Sequence, residues 1–171
     1  MTKDEFEILE SRIHDELANI AHLREELEAK GFLERAGVSS DRSMPGFDKA
    51  DSFTLRAVGS VLHDFYMAAE SIFKMIARDI DRSIPTDPEW HFSLLRQMSL
   101  DLPTHRPPVL RKDTMEKLNE FRSFRHVFRN VYGFVLSADR LRLLLCKFPA
   151  ATEALAEDLS TFLKAMRQAI K

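Results

Sequence analysis

From Phe121 to Phe134 the sequence reads FRSFRHVFRNVYGF, in which Arg122, Arg125, His126, Arg129, Asn130 and Tyr132 alternate with phenylalanines and valines. Apolar spacings of three and four do not suit a strand, but at about 100° per residue they sort on a helix. Phe121, Phe124, Val127, Phe128, Val131 and Phe134 fall on one side, and the six polar residues fall within an arc of about 160° on the other. Three guanidiniums on one face form an anion-binding surface, and the imidazole, carboxamide and phenol beside them can orient or protonate what binds there. No Asp or Glu occurs between Arg122 and Asp139, so these arginines have no acidic i,i+4 partner within their own helix. The plain alternative is a solvated arginine face. Of the residues on this helix, His126 is the one that titrates near neutrality; an amide exchanges no proton there, and an ordinary tyrosine titrates near pH ~10. Neighbouring arginines favour the neutral imidazole, which suits a base.

Other chemistries lack their sequence signatures. There is no Gly-rich phosphate loop, no CxxC and no HExxH, so neither a cofactor nor a metal is expected. Cys146 is the single cysteine; it excludes an intramolecular disulfide, fits a reducing compartment, and reads as a small buried hydrophobe within an apolar run. The N-terminus MTKDEFEILE is acidic and shows no signal peptide, and no apolar run approaches the ~18 residues of a membrane span. The reading is a cytoplasmic protein without a membrane partner. The net charge of −2 forces no nucleic-acid partner on the chain as a whole. Its distribution says more: residues 1–31 carry four basic and nine acidic side chains, whereas residues 122–142 carry five arginines and one aspartate.

The elements that must position the basic helix are themselves helical. Residues 3–30 form a first helix, with Thr2 as N-cap, Gly31 as stop, and Phe6, Ile13, Ile20 and Leu27 on a seven-residue repeat. His14 and His22, eight apart, are surface residues. A loop over 31–47 leads to a second helix over about 48–82, where Val58, Leu62, Phe65, Ala69, Ile72 and Ile76 make a bundle face. His63 on it reads foremost as a rim or core residue. Pro88 opens a short helix to about Leu100, and Pro103, Pro107 and Pro108 predict a rigid extended connection. His91 and His105 on this 84–109 segment read as solvent-exposed. After the basic helix, Ser137 starts a short helix that Pro149 ends, and a last helix over 150–170 carries Leu155, Leu159, Phe162, Met166 and Ile170 on one face. The fold class is therefore all-α: four long helices in an up-and-down bundle plus two short ones, forming one domain over 1–171.

Arg125-His126-x-x-x-Asn130-x-Tyr132 resembles the R-polar-x3-H-x-Y motif of HEPN domains, in particular of HepT-like toxins from HepT/MntA toxin–antitoxin pairs. Gly133-Phe134-Val135-Leu136, Asp139-Arg140-Leu141 and Pro88-Glu89-Trp90-His91 with Leu94-Leu95 carry the likeness further, over a core of about residues 50–165. The resemblance implies a homodimeric, metal-independent ribonuclease, with Arg125 as phosphate-binding cation and Arg122 and Arg129 beside it on the RNA; it further implies that the second helix pairs with the basic one, which makes His63, Asp64 and Glu70 candidates to face the arginines. It also implies a partner, an MntA-like nucleotidyltransferase antitoxin that adenylylates Tyr132 and so places an anion among the arginines. The chain departs from the motif at Asn130, which stands where the family has histidine. His126 is the substitute on the same helix; the alternative is a non-catalytic HEPN module that binds nucleotide, RNA or a protein.

Overall fold

The computed structural model describes residues 1–33, 47, 50–130 and 136–170, without the side chain of Asn130. Most of the 31–47 loop, and Tyr132 with its neighbours Val131, Gly133, Phe134 and Val135, lie outside the described residues. The protein is an all-α bundle whose described residues form five helices: α1 Lys3–Ala29, α2 Ser52–Asp79, α3 Trp90–Met98, α4 Lys112–Asn130 and α5 Ala138–Ala169. Helix α2 is central, packing on each of the other four.

Local chemistry sets the helix ends. Thr2 and Glu5 form a reciprocal capping box, the Glu5 N–H donating to Thr2 Oγ1 (3.2 Å) and the Thr2 N–H to Glu5 Oε2 (2.7 Å). At the other end Gly31 takes a φ of +73°, which glycine adopts without cost. This lets the Phe32 N–H reach the Leu27 carbonyl at 2.9 Å and close the last turn. Asp51 caps α2 and Ser137 caps α5. The seven-residue repeat is buried at all four of its positions, and so are all six residues of the α2 bundle face.

Where α2 meets α4 and α5, the rings of Phe65, Phe121 and Phe148 pack edge to face, with centroids 5.0 Å apart for Phe65–Phe121 and Phe65–Phe148. Gly59 lets α4 come close: a Cβ there would lie 2.8 Å from the Phe128 ring and 3.1 Å from Leu136.

Two expectations change. One helix runs through Pro149 instead of two meeting there. Phe148, Ala151 and Leu155 on either side of the proline are fully buried, so packing along both halves outweighs the backbone bond that proline cannot donate. The described helices thus comprise four long ones and one short one. The proline-rich connection is not extended either. Leu102 and Arg106 form an antiparallel bridge around a turn with Pro103 at its second position, the His105 N–H donating to the Leu102 carbonyl at 2.8 Å.

That turn is anchored by a charge pair. Arg106, 3% exposed, meets Asp81 through two parallel bonds, Nε–Oδ1 at 2.6 Å and Nη2–Oδ2 at 2.8 Å. Its remaining N–H groups donate to the carbonyls of Gln97, Leu100 and Pro107. Every bond the guanidinium makes lies within residues 81–107, so it holds α3 and the turn together. Removing one partner of a buried pair strands the other, at a cost of about 3–5 kcal/mol. Asp81→Ala should lower the unfolding free energy by that amount in urea titrations followed by circular dichroism.

Candidate functional site

The basic helix does not present its cations together. On the helical wheel Arg125 lies about 40° from Phe121, and it is drawn into the seam with the phenylalanines, at 5% exposure. His126 and Arg129 are exposed on the outer side of α4, and Arg122 is half-buried. Arg122 donates from Nε to Asn119 Oδ1 at 2.7 Å and lies over the Phe92 ring at 5.3 Å, so α3 covers it from above. The chain therefore has one enclosed arginine and a looser outer strip in place of the converging face that the wheel predicts.

Arg125 is enclosed by residues from α2 and α3. Glu70, fully buried on α2, stands 3.7 Å from Arg125 Nη2 through its Oε1, and Lys74, one turn further on, reaches the same oxygen at 3.0 Å. Both are ion-pair contacts without aligned hydrogen bonds at Oε1. The other carboxylate oxygen of Glu70 lies 2.6 Å from His91 Nδ1, and His91 Nε2 lies 3.1 Å from Arg125 Nη1. Arg125 Nε donates to Met67 Sδ at 3.0 Å, a weak acceptor. Trp90 stacks on His91, with ring centroids 3.5 Å apart, and carries the Lys74 ammonium over its ring at 4.6 Å.

The geometry settles the imidazole tautomer. A carboxylate only accepts and a guanidinium only donates, so Nδ1 carries the proton and Nε2 the lone pair. Burial holds His91 below the usual histidine range, and the Arg125 and Lys74 charges add to that, while Glu70 opposes it. Lys74 and Arg125 bring two cations to one carboxylate, so with a neutral imidazole the cluster keeps one unit of positive charge. Beside it, the Tyr66 hydroxyl is fully buried and has no hydrogen-bond partner among the described residues. Burial and the Glu70 charge push its pKa above the ordinary tyrosine range, so it keeps its proton.

Several expectations are corrected or sharpened here. Of the three candidates on α2, Glu70 faces the arginine. Asp64 is exposed and pairs with His63 Nδ1 at 3.2 Å, and the His63 ring packs on Phe128. His91 is half-buried and bonded on both nitrogens, not solvent-exposed, because α3 packs on both α2 and α4. His105 is exposed. Cys146 is exposed as well: Leu141, Leu144, Leu145 and Phe148 take the inward side of α5, which turns residue 146 outward. Lys74 was not singled out by the sequence, and Trp90 entered only as part of the family likeness. The signal for Lys74 is its place four residues after a glutamate that interrupts an apolar face.

A family model described as HepT-like protein matches residues 57–166, which include Glu70, Lys74, His91 and Arg125. No curated protein and no solved structure matches the chain. Among the described residues no helix is long and apolar enough to cross a membrane.

The depressed His91 pKa has a consequence for stability. Below the ordinary histidine value of about 6.5 the unfolded chain takes up a proton that the folded chain resists, so this contribution to stability is lost as pH falls through that value. The thermal midpoint should drop on acidification from about pH 7 to pH 5, and His91→Gln should flatten that slope.

Proposed function

The chain belongs to the HepT-like protein family, and from that premise we propose that it is a toxin-class endoribonuclease that cleaves RNA without a metal. A partner nucleotidyltransferase neutralises it by modifying Tyr132. The carrying observation is the enclosed Arg125 with Glu70, Lys74 and His91, which combines spare positive charge with a neutral imidazole in one side-chain cluster. Metal-free scission of RNA requires those two properties: cationic donors for the charge that grows on the phosphate, and a group that accepts the proton of the 2′-hydroxyl. A buried charge cluster of this kind is costly to maintain for stability alone.

In this reading Arg129 and Arg122 draw in the RNA backbone and Arg125 with Lys74 takes the scissile phosphate. Two copies of the chain join so that the ends of their α4 helices line a shared cleft. Asn130 contributes an amide hydrogen bond to a phosphate oxygen in place of the family's histidine. An AMP group on Tyr132, two residues beyond α4, adds a bulky anion next to these cations and closes the cleft to RNA. The second reading, a non-catalytic module that binds nucleotide, RNA or a protein, is favoured by Asn130 alone.

Cleavage separates the readings, and binding and modification test the roles within the first. With single-stranded RNA in EDTA, wild-type protein should produce fragments, and Arg125→Lys should cut their rate by about 10–100-fold, because a point charge replaces a planar fork. Arg129→Ala should reduce the salt slope of RNA binding by about one, whereas Lys30→Ala on α1 should leave it unchanged. Cleavage by Asn130→His but not by wild type would favour the module. For the partner, intact-mass spectrometry after incubation with an adenylylating nucleotidyltransferase and ATP should show one added AMP on the wild type and none on Tyr132→Phe.

A further inference from the structure

We infer that His91, brought in by α3, is the proton acceptor of the cleavage reaction, and that Arg125 masks it until an RNA phosphate arrives. This rests on the ribonuclease reading above and concerns the same cluster. Of the six histidines in the chain, His14, His22, His105 and His126 are exposed on outer surfaces. His63 has its Nε2 closed off from solvent, with the ring against Phe128. His91 is the one in contact with Arg125, through the nitrogen that holds the lone pair.

The contacts around it divide the work. Glu70 fixes the ring through Nδ1 and stands ready to stabilise an imidazolium. Glu70 and Lys74 from α2 and Arg125 from α4 are the charged groups that face the ring. Among the described residues Arg125 is poorly supplied with acceptors: a thioether at 3.0 Å, an imidazole nitrogen at 3.1 Å and a carboxylate at 3.7 Å leave its five N–H groups short of strong bonds there. A phosphate oxygen is a better acceptor than any of these, since its bond to a guanidinium is charge-assisted. Arg125 Nη1 therefore exchanges His91 for the phosphate, and the Nε2 lone pair becomes free beside the bound backbone.

The step then balances. The 2′-oxygen passes its proton to His91 Nε2 and forms a bond to phosphorus, and the bond from phosphorus to the 5′-oxygen breaks. A solvent water protonates the 5′-oxygen, and the hydroxide left behind takes the proton back from His91. The products are a 2′,3′-cyclic phosphate and a 5′-hydroxyl. Because Arg125 holds the lone pair in the free protein, the base is silent until a phosphodiester occupies the guanidinium.

The test uses the full chain, a single-stranded RNA oligonucleotide in EDTA, and the same oligonucleotide with 2′-O-methyl groups as an uncleavable ligand. His91→Gln should slow cleavage by about 100-fold or more while binding the uncleavable strand as wild type does, and His14→Gln on α1 should cleave at nearly the wild-type rate. The acid limb of the wild-type pH–rate profile should coincide with the His91 titration read by nitrogen NMR, which should also show the Nδ1–H tautomer. If His91→Gln does not fold, the agreement or mismatch between that limb and that titration decides for or against the proposal. Cleavage by His91→Gln at the wild-type rate overturns the role of His91 and leaves the ribonuclease reading standing. Failure of wild-type protein to cleave at any pH overturns the ribonuclease reading, and the proton-acceptor role falls with it.

Discussion

Removing the guanidinium of Arg125 from water costs several kcal/mol unless its charge is met from nearby, and three helices of this bundle are arranged so that the charge, though not every donor, is met. Glu70 comes from α2 at a position that otherwise belongs to the apolar face, between Ala69 and Ile72. His91 comes from α3, and α4 supplies the arginine one turn beyond Phe121. Because Arg125 sits beside phenylalanines, the aromatic packing that closes α4 onto α2 also pushes the charge inward. The apolar core and the polar pocket are thus one construction: the rings set the depth of the arginine, and the carboxylate makes that depth tolerable.

A second enclosed pair, Asp81 with Arg106, supports the first without touching it. The segment after α2 must return α3 across α2 and α4 with His91 at the correct height. It does so through a turn whose carbonyls converge on one guanidinium. The 84–109 segment, which reads as an insert between bundle helices, acts as a bracket. Its outer residues, among them His105, are exposed, and its inner ones, Leu94, Leu95 and Met98, are fully buried.

The sequence made legible what depends on neighbours a turn away. The repeat of Phe6, Ile13, Ile20 and Leu27, the caps at Thr2 and Ser137 and the stop at Gly31 are local arrangements, and each stands as read. The all-α class follows from them. Less legible was anything decided by contact between distant segments. Pro149 carries a strong local signal to stop, which burial of Phe148 and Ala151 overrides. Cys146 sits in an apolar run, but a helix in contact with a core on one side must turn part of such a run outward. Arg125 reads as one of a row of similar arginines until α3 covers it, and no periodicity reveals that a histidine 34 residues earlier will be its partner.

The stretch recognisable as HepT-like begins at residue 57, well after α1, yet α1 packs along α2 and buries Phe6, Leu9, Ile13, Ile20 and Leu27 there and on α5. Family likeness and foldable unit therefore have different borders in this chain. A fragment trimmed to the recognisable stretch would keep the pocket residues but expose to water the flank of α2 opposite them, on the helix that carries Glu70 and Lys74. Such a fragment would stick to itself through that flank, and its self-association would report the missing first helix and nothing about how the whole chain assembles.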